Sequence, residues 1–229
     1  MKSVRPRHLA LSALNSLEDS PRFPKHVLDS AFQQASHLNQ RDRAFAVHLV
    51  QGVLRWRLRL DWMVQQTVRF PFREIESPVL NILRIALYQI FFMDRVPESA
   101  AVNEAVKQTK IIQSNHVTGF VNGILRHICR RKHQVTYPDR KSDPVRFLSV
   151  FHSYPEWLVE KWIRELGMDS AERILAAGNR IPRLVIRTNT MKIDRRSLMK
   201  RLESEDVSAK PTRYAAEGIE VGGLKGSID

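Results

Sequence analysis
Cysteine is nearly missing from this chain of 229 residues: Cys129 stands alone, so no internal disulfide and no cysteine-only zinc site can form. That usage fits a reducing cytosol. The eight histidines are scattered without the paired spacing of a metal site. No apolar run reaches the about 18 residues a membrane helix needs, and the longest greasy stretch, Ile82 to Met93, is interrupted by Arg84 and Gln89. It reads as a buried core helix. Met1 to Arg7 leads into no long apolar segment or small-residue cleavage site and does not read as a signal peptide. No glycine-rich phosphate loop, HExxH or nucleophile elbow occurs, so the residues by themselves carry no recognisable catalytic apparatus.

What is abundant is positive charge. The formal net charge is +13, and a hydrophobic fraction of 43% excludes wholesale disorder. Residues 1–134 hold 20 Lys and Arg against 10 Asp and Glu, whereas 135–229 hold 17 against 14. Such a balance points to a polyanionic partner rather than to any fold. Three runs concentrate it: Arg5 and Arg7; Arg55, Arg57 and Arg59; and Arg126, Arg130, Arg131 and Lys132, with His127 and His133 among the last. Together these nine cations are candidate RNA contacts, since phosphates require positive donors and arginine adds bidentate geometry. The alternative is an ordinary solvated helix face. Three arginines at every second position cannot share one face, so at least one of Arg55, Arg57 and Arg59 is expected to be structural.

Apolar spacing of three to four predicts successive helices over 7–18, 27–35, about 40–68, 78–93, 99–114 and 117–132. Asn39 is placed to cap the third, Pro71 ends it, and Pro78 opens the fourth. Pro21–Pro24 reads as a turn. Trp56 and Trp62 could stack on bases but fit core positions better. Asn122 fits an interhelical hydrogen bond, Gly123 and Gly52 fit close helix packing, and Cys129 fits an inert structural role. The Pro- and Asp-rich stretch from Tyr137 to Pro144 marks a linker. Beyond it come a helix opening at Tyr154-Pro155, another capped by Asp169, a strand 184–189, a helix 195–203, a weaker strand 207–214 and a short strand 219–221. The last residues, 222–229, read as loop and as a cut end. The expected organisation is an all-α helical bundle over 1–135, a linker over 136–153, and a partial α/β strand-helix-strand segment over 154–229.

Four blocks carry a resemblance. Arg5 to Leu14 with Asp42-Arg43-Ala44-Phe45, Leu83 to Ile90 with Val96-Pro97, Val102 to Lys107, and Phe120 to Arg126 are similar in order to NusB-like domains. Leu49 to Arg55 with Leu60-Asp61-Trp62, then Tyr154 to Val159 and Ile186 to Thr190, look like one branch, the Sun-type (Fmu-like) rRNA cytosine-5 methyltransferases. The resemblance implies an RNA- and protein-binding helical domain, then the small domain preceding a catalytic one, with small-subunit rRNA as partner and no membrane. It implies S-adenosylmethionine and two catalytic cysteines only in a catalytic domain that nothing here matches, so no catalytic, cofactor or metal residue carries over. A self-contained adapter, akin to an antitermination factor with RNA and protein partners and a role in regulating transcription, is the alternative.

Overall fold
The computed structural model describes residues 5–19, 22–35 and 37–222. Met1 to Val4, Pro21 of the expected turn and the loop reading of 223–229 lie outside the described residues. The chain forms two compact units, Met1–Asn179 and Arg180–Asp229.

The first unit is helical. Its elements are α1 (Pro6–Asp19), α2 (Pro24–Gln34), α3 (Gln40–Arg55), α4 (Arg57–Gln65), α5 (Ser77–Phe92), α6 (Glu98–Ile112), α7 (Asn115–Arg130), α8 (Pro144–His152), α9 (Glu156–Leu166) and α10 (Met168–Gly178). At the centre is α5, where every residue from Val79 to Ile90 is buried. A helix that is apolar all round has to be surrounded, and α1, α3, α4, α6 and α7 all pack on it. By contrast α7 is one-sided, burying Thr118, Val121, Ile124, Leu125 and Ile128 at helical spacing.

Burying α5 on every side takes Arg84 into the core, where it is 3% exposed. Its Nε and Nη2 donate to Asp61 Oδ1 and Oδ2 at 2.6 and 2.7 Å, a bidentate pair with α4. Nη1 donates to Glu18 of α1 and to Asn81, both at 2.9 Å. Glu18 also receives Arg57 at 2.8 Å. Two further bonds join α1 to α5: Asn81 Nδ2 donates to Asn15 Oδ1 at 2.9 Å, and Arg7 Nε donates to Gln89 Oε1 at 2.8 Å. Between α3 and α5, Gly52 lets the backbone meet the Tyr88 ring, since a Cβ there would collide with it. The expectation that Gly52 serves close packing is met. Asn39 caps α3 by accepting from the Asp42 amide at 2.8 Å, also as expected.

Several expectations differ from what is observed. The helix predicted over 40–68 divides at Trp56 (φ −105°, ψ 17°), and the break turns Asp61 and Arg57 towards Arg84 and Glu18. Asp169 lies inside the first turn of α10; the cap position is Gly167, whose φ of 78° suits a residue without Cβ. The segment 136–153, read as a linker, contains α8. Leu148 of α8 is fully buried with Val159 of α9 and Leu175 of α10, and α8 packs on α4. The Pro- and Asp-rich stretch is a turn, in which Asp139 Oδ1 accepts from the amides of Lys141 and Ser142. By compactness, the two units divide after Asn179.

The second unit has β1 (Leu184–Arg187), α11 (Arg195–Ser204), β2 (Ser208–Pro211) and β3 (Gly218–Gly222). The order is β1-β3-β2, antiparallel throughout, with Leu184 and Ala209 both opposite Val221. β3 therefore separates the two strands that α11 connects. Ala209, Ile219 and Val221 form a small core under Ile186, Leu198 and Leu202.

Asp61→Ala should cost about 3–5 kcal/mol in urea unfolding, because it strips the buried Arg84 of its bidentate carboxylate and leaves Nε and Nη2 without an acceptor, with only Nη1 still held by Glu18 and Asn81; a loss below about 1 kcal/mol would show that Glu18 and Asn81 suffice. Stability should also fall in acid. Burial pushes His152 below its usual 6.5, opposed by Glu172 and reinforced by Arg59; burial and then Arg55 do the same to His48. The unfolded chain then takes up protons near pH 6.5 that the folded chain refuses until lower pH, so the stability is full above 6.5 and is lost as pH drops below it. Urea midpoints from pH 7.5 to 5.5 should decline, with His152→Gln flattening part of the decline.

Candidate nucleic-acid interface
Ser114 starts α7 by accepting from the Val117 amide, and the apolar stripe fixes which side faces the bundle. The other side carries Gly119, Gly123 and Arg126, with Arg130 and Arg131 exposed at its end. A Cβ at Gly119 or Gly123 would meet nothing within 4 Å. Gly123 thus corrects the packing role expected for it: it faces open space. Across from it runs the chain leaving α4. Gln66, Thr67, Val68 and Arg69 form one wall of a groove of about 520 Å³, and Phe120, Gly123, Ile124, His127 and Arg131 form the other. A smaller hollow of about 120 Å³ continues past His127 and Arg131 to Thr136. Phe120 is braced by Phe70, ring centroids 5.6 Å apart.

The nine cations expected at an RNA surface divide by what they touch. Arg5 is 61% exposed and 3.6 Å from Glu104. Arg7 is half-buried, bonded to Gln89 and set over the Phe45 ring at 5.1 Å. Arg57 is paired with Glu18, and the charge of Arg55 acts on His48 and Tyr88, which bond each other at 2.9 Å. Arg59 is held within the fold. Its guanidinium lies 4.4 Å from the Phe151 centroid and 5.2–5.5 Å from those of Tyr137, Trp56 and Phe92. Nε donates to the Tyr137 hydroxyl at 2.8 Å and Nη1 to the Phe151 carbonyl at 3.4 Å. Arg59 is therefore the structural member expected of that run. Lys132 pairs with Glu98 at 3.0 Å beside the Phe91 ring. Arg126 donates to Asn122 Oδ1 at 3.0 Å within α7, so Asn122 makes an intrahelical bond, not the interhelical one expected. Arg126, Arg130 and Arg131 have no carboxylate partner among the described residues.

Trp56 and Trp62 are engaged internally, as expected: Trp56 stacks on Phe92 at 4.5 Å, and Trp62 Nε1 donates to the Thr136 carbonyl at 2.8 Å. Burial, reinforced by Glu98, pushes the Cys129 thiol up, away from the thiolate a nucleophile needs. Arg69, Gln66 and Thr67 escaped the sequence reading, because one isolated arginine forms no run; the opposite wall, Phe120, Gly123, Ile124, His127 and Arg131, lay in the block and the cationic run already singled out. No helix among the described residues is long and apolar enough to cross a membrane, and no group of His, Cys, Asp and Glu there could hold a metal ion. None of the three described strands leads through a glycine-rich loop into a helix.

Residues 4–130 match the sequence model of the NusB family, and residues 154–224 match the one described as the Methyltr_RsmF/B-like, ferredoxin-like domain. A probable ribosomal RNA small subunit methyltransferase B of Bacillus subtilis is 33% identical over 228 residues, covering all of this chain and half of that protein. The similarly named protein of Synechocystis is 28% identical over 98% of this chain and half of its own length. The chain spans about half the length of the curated relatives it matches. In fold, the crystal structure of PH0851 superposes with a TM-score of 0.63 at 17% identity, over 96% of this chain and 49% of that one. The structure of antitermination factors NusB and NusE with dsRNA superposes at 0.51 and 18%, over 55% of this chain and 93% of its counterpart. With its bundle matched from residue 4 to residue 130 and a methyltransferase-type ferredoxin-like domain behind it, this chain belongs to the NusB family.

Proposed function
We propose that this chain is the RNA-gripping half of a methyltransferase that modifies cytosine in small-subunit ribosomal RNA. One observation carries the reading: Arg126, Arg130 and Arg131 stand exposed, without carboxylate partners among the described residues, towards the end of α7 beside a groove with an aromatic wall. Cations that no carboxylate neutralises keep their full charge for phosphates. Methyl transfer, with S-adenosylmethionine as donor, belongs to the half of the relatives that this chain does not span. The chain's own residues bind and orient RNA, and the protein works where ribosomal RNA is, in the cytosol. The methyltransferase-type domain over 154–224 favours this reading above a free-standing adapter for a protein partner.

Replacing Arg126, Arg130 and Arg131 together with Gln should weaken binding to small-subunit rRNA fragments. The log–log salt slope should fall by about 0.7–0.9 for each phosphate that the variant no longer neutralises. An unchanged slope would make the cluster a solvated helix end. Arg59→Met should behave oppositely, lowering the thermal midpoint while leaving the salt slope intact, because its guanidinium serves the fold.

A further inference from the structure
The groove beside α7 has features that phosphate binding does not require. A-form duplex offers phosphates and a shallow minor groove, with its bases stacked away. Contacts to it need convex or flat basic surfaces. Here a concavity of about 520 Å³, within the about 300–1,000 Å³ of small-ligand sites, has Phe120 and Ile124 in its wall. Arg69, His127 and Arg131 stand around it. The Gln66 side-chain amide makes no hydrogen bond among the described residues, and the Thr67 hydroxyl, which donates to the Met63 carbonyl, keeps its acceptor capacity.

The glycines add an independent argument. Gly119 and Gly123 lie one turn apart on the exposed side of α7, where glycine costs helix stability relative to alanine. Neither has a packing reason, because a Cβ at either position would meet no atom. At Gly123 the bare backbone forms part of the groove wall and widens it.

We propose that this groove receives one unpaired nucleotide of the RNA. The base lies against Phe120 and Ile124 over Gly123, Gln66 and Thr67 meet its edge, and Arg69 and Arg131 take the flanking phosphates. The duplex on either side rests on Arg126 and Arg130. The chain thereby selects a bulge or loop within a stem, as RNA recognition through splayed bases requires. The inference rests on the RNA-binding reading above and deepens it.

The test compares two hairpin RNAs of equal length, each closed by a non-nucleotide linker so that no loop base is unpaired, one fully paired and one with a single-nucleotide bulge, by fluorescence anisotropy. The wild-type chain should favour the bulged RNA by about tenfold or more, as stacking of one base provides. Gly123→Leu fills the groove and removes no charge. It should erase that preference, leave affinity and salt slope for the paired hairpin unchanged, and not lower the thermal midpoint. A 4-thiouridine at the bulge of RNA bound to the wild-type chain should crosslink to residues 66–70 or 120–131, a readout that needs no variant. The proposal is overturned by equal wild-type affinity for the two RNAs, by a preference that survives Gly123→Leu, by equal weakening of both, or by a crosslink elsewhere. Absence of salt-dependent binding to either RNA would overturn the RNA reading and this one with it. Binding of the paired hairpin without preference overturns this one alone.

Discussion
A guanidinium inside a helical bundle must be matched, and the Arg84–Asp61 pair is the constraint around which the first unit is arranged. A buried pair of this kind gains little over apolar residues of equal volume, yet breaking it is costly. Its geometric consequence is the larger one. Asp61 must sit within reach of α5, so the chain turns at Trp56 and α4 runs on a course separate from α3. Glu18 is drawn to the same guanidinium, which fixes α1 against α5 and supplies a partner for Arg57. Because α5 packs on both α4 and α7, the residues that leave α4 come to lie opposite α7. The groove follows from where the core places this deep charge.

Positive charge is used in two ways that composition does not distinguish. Arg7, Arg59 and Arg84 work as planar donors within the fold, over rings or against amide and carboxylate oxygens. Arginine suits this role because its guanidinium is weakly hydrated and stacks on aromatic faces. Arg126, Arg130 and Arg131 instead project from the end of a helix whose other side is buried. Their position beyond the apolar stripe, more than their number, suits them to a polyanion.

Much of the fold was legible because it is local. The all-round apolar character of α5, the one-sided stripe of α7, the Asn39 cap and the strand-helix-strand pattern of the second unit depend on neighbours within a few residues. What could not be read depends on distant partners. The break at Trp56 makes sense only once Asp61 meets Arg84, 23 residues away. The helix within 136–153 is held by α4 and by the Leu148 core, while its flanking Pro and Asp signal only a turn. Gly123 and Gly52 look alike in sequence, and only the presence of Tyr88 at one and of nothing at the other separates them. In the candidate site the cationic end of α7 was readable as a run. Arg69 and Gln66 were not, since they reach the groove through tertiary placement alone.

The aromatic enclosure of Arg59 also has a consequence in time. Its hydrogen-bonding partners, Tyr137 and Phe151, lie 78 and 92 residues further along the chain. On the ribosome, where domains assemble from the N-terminus as they emerge, α4 appears well before those rings do. During that interval Trp56, Phe92 and a bare guanidinium share an unfinished surface. The bundle becomes fully sealed only after α8 has been synthesised, so translation itself sets the earliest moment at which the first unit can be mature.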